Sequence, residues 1–277
     1  MAVVVVTDSS SRLPADMREK WSIREVPLHI LLDGVDLRDG VDEISEDVYK
    51  LHATTAAATP AELADAYQQA LSDSDGDGVV AVHISSALSG TYGTGERTAA
   101  DLDPTIRVID SKSAAMGTGF VALTAARAAA AGADLDAVVR AASAAVRRTH
   151  AFVVVHRLDN LRRSGRIGGA KAWLGTALAL KPLLRVDDGK LVLAQRVRTV
   201  SHATATMIDR VCEIVGDSSA ALAVHHVVNP QGAQEVATAL AQRLPACEPA
   251  MVTPMGPVLA VHVGYGAVAV CLELPEA

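Results

Sequence analysis

Short runs of aliphatic, mostly β-branched residues recur through the first half of the chain, and each is closed by a polar loop and followed by a stretch long enough for a helix. Val3–Val6 ends in Thr7-Asp8-Ser9-Ser10, Val79–Ile84 ends in a serine-rich loop, and Ile106–Ile109 and Ala151–His156 repeat the pattern. Such runs lack the apolar-polar alternation of a half-exposed strand, so they read as strands covered on both faces. The intervening segments carry helix signals. Thr59-Pro60-Ala61-Glu62 combines an N-cap, a proline at the first helical position and a capping-box glutamate, and predicts a helix to about Leu71. A helix is expected near Gly93–Leu102, an alanine-rich one from about Ala114 with Gly132 as its stop, and another over Asp134–Arg148. Strand-helix alternation of this kind implies an α/β fold with a mostly parallel sheet and flanking helices.

The texture changes after His156. Leu184–Val186 and Leu191–Val197 flank Asp187-Asp188-Gly189-Lys190, a hairpin signal, and Asp33-Gly34 offers an earlier one. Helices over Ser201–Val215 and Gln231–Leu244, and strands over Ala221–Val228, near Met251 and over Ala267–Leu274, predict a second α/β domain with a mixed sheet. The expected division is an N-terminal domain over 1–155 and a C-terminal domain over 156–277. Aromatic residues make up only 3% of the chain, so both cores must be aliphatic.

Several function classes are disfavoured. With 25 Lys and Arg, a net charge of −7 and no basic block, the chain lacks the clustered cations that neutralise nucleic-acid phosphates. Cys212, Cys247 and Cys271 are far apart and odd in number, which suggests a reducing compartment. The start lacks a signal-peptide pattern and no apolar run reaches membrane-spanning length, so a cytoplasmic protein is expected. Asp73-Ser74-Asp75-Gly76-Asp77-Gly78 opens like a calcium loop, but the position that needs a bidentate glutamate is Ile84. His225 and His226 are adjacent in a strand and point to opposite faces, so no metal site is expected there. Gly117-Thr118-Gly119 and the run Gly90–Gly95 match neither dinucleotide nor P-loop fingerprints.

The loop Ser85–Tyr92 (Ser-Ser-Ala-Leu-Ser-Gly-Thr-Tyr) follows a buried strand and opens a helix, at the sheet edge where α/β ligand sites lie. Unpaired backbone N–H groups at a helix start carry partial positive charge. Ser85, Ser86, Ser89 and Thr91 add hydroxyls, and Gly90 permits close approach. With no cation until Arg97, the loop suits a carboxylate better than a triphosphate. A serine-rich helix cap is the plain alternative. Thr54-Thr55 precedes the capped helix, where hydroxyls can face a cleft. His262 stands between a Gly-Pro turn and a Gly-x-Gly turn, and Arg162, Arg163 and Arg166 form either a basic docking patch or ordinary surface charge.

In order and spacing these segments resemble the DegV family of bacterial fatty-acid-binding proteins. The resemblance runs through Val-Thr-Asp-Ser-Ser at the first strand end, Pro27-Leu28, Thr55, and Ser86–Tyr92. It continues through Asp110–Gly117, Leu161–Ile167, Gly175–Leu184, Arg196–Thr199 and Gly256-Pro257 leading to His262. It implies two α/β domains with a long-chain fatty acid such as palmitate in an interdomain tunnel, and no other cofactor. It further implies a carrier, not itself an enzyme, that presents the carboxylate to a separate ATP-binding fatty-acid kinase. The acyl phosphate then enters phospholipid synthesis, with at most transient membrane contact by the carrier. Thr55, Ser86 and His262 match the family's carboxylate partners. Ser89, Gly90, Arg166 and Arg198 match rim or partner positions. One departure is Ala56-Ala57-Ala58, where the family commonly has Ser-Gln-Pro.

Burying a C16 tail at ~0.8 kcal/mol per methylene gives roughly 10 kcal/mol gross, so an apolar tunnel would dominate affinity. Two alternatives are a serine acyl hydrolase using Ser86 and His262, although no Gly-x-Ser-x-Gly elbow is present, and a binding module for another small carboxylate.

Overall fold

The structure, a computed structural model, describes residues 2–167 and 181–276. The N-terminal part runs β1 (Val4–Asp8), α1 (Ala15–Lys20), β2 (Arg24–Val26), β3 (His29–Leu32), β4 (Val35–Arg38), β5 (Thr54–Ala56), α2 (Pro60–Ser74), β6 (Val79–His83), α3 (Thr91–Leu102) and β7 (Ile106–Asp110). Then come α4 (Met116–Ala130), α5 (Leu135–Arg148), β8 (Thr149–Val154), α6 (Asp159–Ser164), β9 (Lys181–Asp187) and β10 (Lys190–Val197). The chain finishes with α7 (Val200–Val215), β11 (Ala221–His226), α8 (Pro230–Arg243), β12 (Met251–Pro254), α9 (Pro257–Val263) and β13 (Val268–Glu273).

Strands β2-β1-β6-β7 form a parallel sheet, as the aliphatic runs require. Every residue of β6 is buried because both faces are covered. Val80 and Val82 pack toward α4 and α5, while Val79 and Ala81 pack with Leu63 and Tyr67 of α2. That helix starts with the expected capping box, since Thr59 accepts from the Glu62 N–H and Glu62 reaches back to the Thr59 N–H. A three-stranded sheet, β4-β3-β5, turns at Asp33-Gly34, both with positive φ, and brings Thr55 opposite Ile30. The Asp73–Gly78 run spans the end of α2, where Arg24 pairs with Asp73, and the turn into β6.

The second sheet is mixed, in the order β10-β9-β8-β13-β11-β12. Strand β8 lies between β9 and β13, so Thr149–Val154 belongs to the C-terminal sheet and not to the N-terminal domain that a boundary at 155 gives it. The reason is chemical: β8 is as aliphatic as the parallel strands, and sequence does not reveal which sheet it joins. One face of this sheet packs on α7 and α8. Against the other lies α4, whose Ala122, Ala125, Ala126 and Ala129 are buried among residues of both sheets, with Val80 and Val82 from one and Ala223 and Cys271 from the other. Gly119 fits that crowding, since a Cβ there would lie 2.8 Å from the Ser11 carbonyl oxygen. The Gly-x-Gly pair of α4 thus serves helix packing. The expected segment 168–180 lies outside the described residues.

Candidate functional site

A cavity opens between the carboxyl edge of the parallel sheet and the face of β8 and β13. Its walls are mostly aliphatic, with Leu28, Ile84, Leu88, Val153, Leu191 and Val258 among the residues that line it. Ala56, Ala57, Ala114, Ala115, Ala151 and Ala269 contribute only methyls, which leaves the space open. Among the described residues, four side chains in the lining carry polar nitrogen or oxygen: Thr55, Ser89, Arg166 and His262.

Two of them pair directly, and the other two are held by their own loops. Thr55 Oγ1 on β5 and His262 Nε2 in the last turn of α9 are hydrogen-bonded at 2.8 Å. Arg166 donates through Nε to the Leu88 carbonyl at 3.3 Å, and through Nη1 to the Ser164 carbonyl at 2.6 Å, which anchors the guanidinium beside the Ser89 loop. Ser89 Oγ lies 3.0 Å from Thr91 Oγ1 and accepts from the Thr91 N–H, so it caps α3 while facing the cavity. The N-cap residue of α3 is Gly90, which brings no side-chain acceptor.

Burial, with the Arg166 charge second, lowers the His262 pKa to about 4, so the ring is neutral at physiological pH. Among the described residues, His262 Nδ1 is buried without a hydrogen-bond partner. The tautomer that matters to an anion carries its proton on Nε2. That N–H then donates to Thr55 Oγ1, and the threonine hydroxyl proton is free to donate onward. A cation and two hydroxyls beside an aliphatic chamber can hold one carboxylate on an apolar tail.

Sequence-predicted residues divide unevenly. Thr55, Ser89, Gly90, Arg166 and His262 all line the cavity. Ser86 does not: it is exposed, its Oγ donates to Asp110 Oδ2 at 2.6 Å, and its N–H goes to Asp110 Oδ1. The one-turn offset explains this, because the loop curls back at Leu88 and Ser89, whose N–H groups both bond the Ser85 carbonyl. Arg198 is also exposed, between β10 and α7, and is not in the lining. The segment around His262, placed from sequence between two glycine turns, is the helix α9, bounded by Gly256 and Gly264. Arg12, unremarked in sequence, lies against Gly256 at the start of α9, where an added Cβ would fall 2.3 Å from its guanidinium carbon. Gly256 has φ +79, a signal visible only as a glycine before a proline. The Ala115 backbone, at φ 53 and ψ −147, shapes the wall just before α4.

The family model described as "Uncharacterised protein, DegV family" matches residues 2–274. The chain belongs to the DegV family. A DegV domain-containing protein of Mycobacterium tuberculosis is 76% identical over 274 residues, covering 99% of this chain and 98% of that one. Among solved DegV structures, the family protein from Thermus thermophilus, described by its fatty-acid binding, is 30% identical with a TM-score of 0.92, covering 99% of this chain and 100% of that one. DegV from Bacillus subtilis, described as a fatty acid binding protein, is 27% identical with a TM-score of 0.90, over 99% of this chain and 100% of that one. The fold is therefore the two-domain DegV α/β architecture. Among the described residues, no helix is long and apolar enough to cross a membrane.

Proposed function

We propose that this chain binds a long-chain fatty acid such as palmitate in the cavity and presents its carboxylate to a separate ATP-binding fatty-acid kinase. The observation that carries the reading is the lining itself: apolar walls with the polar side chains of Thr55, Ser89, Arg166 and His262, of which Thr55 and His262 are hydrogen-bonded to each other. The acyl tail would lie along Leu28, Val153 and Leu191 in a tunnel between the parallel sheet and the mixed sheet. Tail burial supplies most of the affinity and the polar group fixes orientation. Ser89, and not Ser86, is the serine of the head-group site in this reading, and Arg166 is the counter-ion. Acyl-phosphate formation uses ATP on the partner, so the chain itself acts as a carrier in the cytoplasm. Exposed Arg162, Arg163 and Arg198 would belong to the partner-facing rim.

Ser86 is bonded to Asp110 and His262 to Thr55, so the two do not form the nucleophile-base pair a serine hydrolase needs. The aliphatic lining also argues against a sugar acid. Solvent extraction of the native protein followed by mass spectrometry tests the proposal. A fatty acid at near-stoichiometric yield is expected; a polar acid with no fatty acid would overturn it. With kinase and ATP added, the carrier role requires acyl phosphate that depends on both proteins.

A further inference from the structure

Ligand contact leaves two sequence features unused: the polar end of β1 and the Gly93–Gly95 end of the glycine run. They meet in the interior. Asp8, His83 and Tyr67 are each 0% exposed, so water cannot stand in for any partner. Tyr67 Oη lies 2.7 Å from His83 Nε2, and His83 Nδ1 lies 3.1 Å from Asp8 Oδ2. The same Asp8 oxygen accepts the Ile84 N–H at 2.9 Å, while Oδ1 takes the Ser10 N–H and hydroxyl. One proton arrangement completes the chain: Tyr67 donates to Nε2 of a neutral imidazole, whose Nδ1–H donates to Asp8. Gly95 leaves room for it, since a Cβ there would lie 2.6 Å from Tyr67 Oη and 3.3 Å from the His83 ring.

Asp8 therefore grips the first residue of the loop that carries Leu88, Ser89 and Gly90, and Ile84 itself lines the cavity. Tyr67 extends the grip to α2, the helix that follows the Thr55 loop. We propose that Tyr67, His83 and Asp8 are positioning residues: a buried relay that holds the Ile84–Gly90 loop at the spacing from Thr55 that a carboxylate head group needs. This rests on the fatty-acid reading for its ligand, but the loop restraint is a property of the free protein.

Tyr67→Phe removes one hydroxyl and keeps the ring. Palmitate affinity is expected to fall about tenfold, the size of one lost hydrogen bond acting through the loop. Affinity for hexadecanol, which has the same tail and no charge, should change less than twofold. The Tyr67→Phe, Gly95→Ala double variant places a methyl where the hydroxyl was; it should recover melting temperature without recovering palmitate selectivity. In ligand-free protein, amide exchange over residues 84–90 should quicken in both variants. Equal losses for acid and alcohol, selectivity regained with packing, or unchanged exchange in that loop would each overturn the relay. Wild-type protein that takes up neither ligand would defeat the fatty-acid reading instead, and the exchange measurement would still judge the restraint.

Discussion

The interior around His83 and the cavity wall around His262 handle a buried imidazole in opposite ways. His83 has both nitrogens engaged, by Asp8 and Tyr67, and is not among the residues lining the cavity. His262 has one nitrogen on Thr55 and the other buried without a partner among the described residues, with Arg166 close enough to depress its basicity. A completed network commits its hydrogen bonds to the fold. An incomplete one carries a desolvation penalty, and here it leaves the Thr55 hydroxyl proton to donate onward. The difference separates scaffold from site without reference to any ligand.

The largest expected effect falls on the scaffold side. His83→Ala leaves the Asp8 carboxylate and the Tyr67 hydroxyl buried without their shared partner, a loss of about 3–5 kcal/mol. Urea denaturation checks it; a loss below about 1 kcal/mol would remove the distinction between the two histidines. On the site side the pattern inverts. Thr55→Val and His262→Ala should each weaken palmitate binding about tenfold, ~1.4 kcal/mol, while the ligand-free protein loses less than that in stability. Calorimetric titration beside thermal melts reads both numbers. A melt that falls as far as the affinity would make these residues structural.

Arg166 tests the electrostatic half of the contrast. Burial is the larger cause of the lowered His262 pKa and Arg166 the second. Arg166→Gln should therefore move the His262 NMR titration midpoint up from about 4 while leaving it below the ordinary histidine value. Because the folded pKa is depressed, the ring's contribution to stability is intact above about pH 6.5 and declines as pH falls from there toward 4. In the variant that acid-side decline should shrink. Palmitate affinity should drop several-fold with the cation gone. An unmoved midpoint would mean that the guanidinium does not face the ring.

His29 gives the alkaline counterpart. Burial opposes its protonation most strongly, but hydrogen bonds to Glu62 and Asp36, at 2.8 and 2.7 Å, outweigh it and raise the pKa. Its contribution is fully present below about pH 6.5 and is lost as pH rises through the raised value. The melting temperature should fall across that window, and Asp36→Asn should flatten the dependence. A pH-independent melt would show the clamp to be weak.

Legibility in the sequence followed the range of the interactions. The capping box at Thr59, the turns at Asp33-Gly34 and Asp188-Gly189, and the buried run Val79–Ile84 are set by neighbours in sequence, and all appear in the fold. The sheet that β8 joins and the helix α9 are set by packing across the molecule, where sequence offers only aliphatic residues and a Gly-Pro step. Within the site, Thr55 and His262 are 207 positions apart and meet at 2.8 Å, a pairing that no periodicity encodes. Ser86 and Ser89 carry the same hydroxyl three positions apart. Only the curl of the loop decides which of them faces the cavity.

That choice gives the smallest effect and the finest test. Ser86→Ala removes the hydroxyl bond to Asp110, but the Ser86 and Lys112 N–H groups still hold that carboxylate. The site is exposed, so the stability change should stay within about 0.5 kcal/mol. Palmitate affinity should be unchanged within twofold. Ser89→Ala removes a cavity hydroxyl that also accepts the Thr91 N–H at the start of α3. Its cost should fall on affinity by several-fold, with a cap loss of about 1 kcal/mol in stability. The ratio of the two affinity losses, measured on the same ligand, isolates which face of the loop touches the carboxylate. A larger loss from Ser86 would return the head group to the Asp110 side and undo the grouping of Ser89 with Thr55, Arg166 and His262.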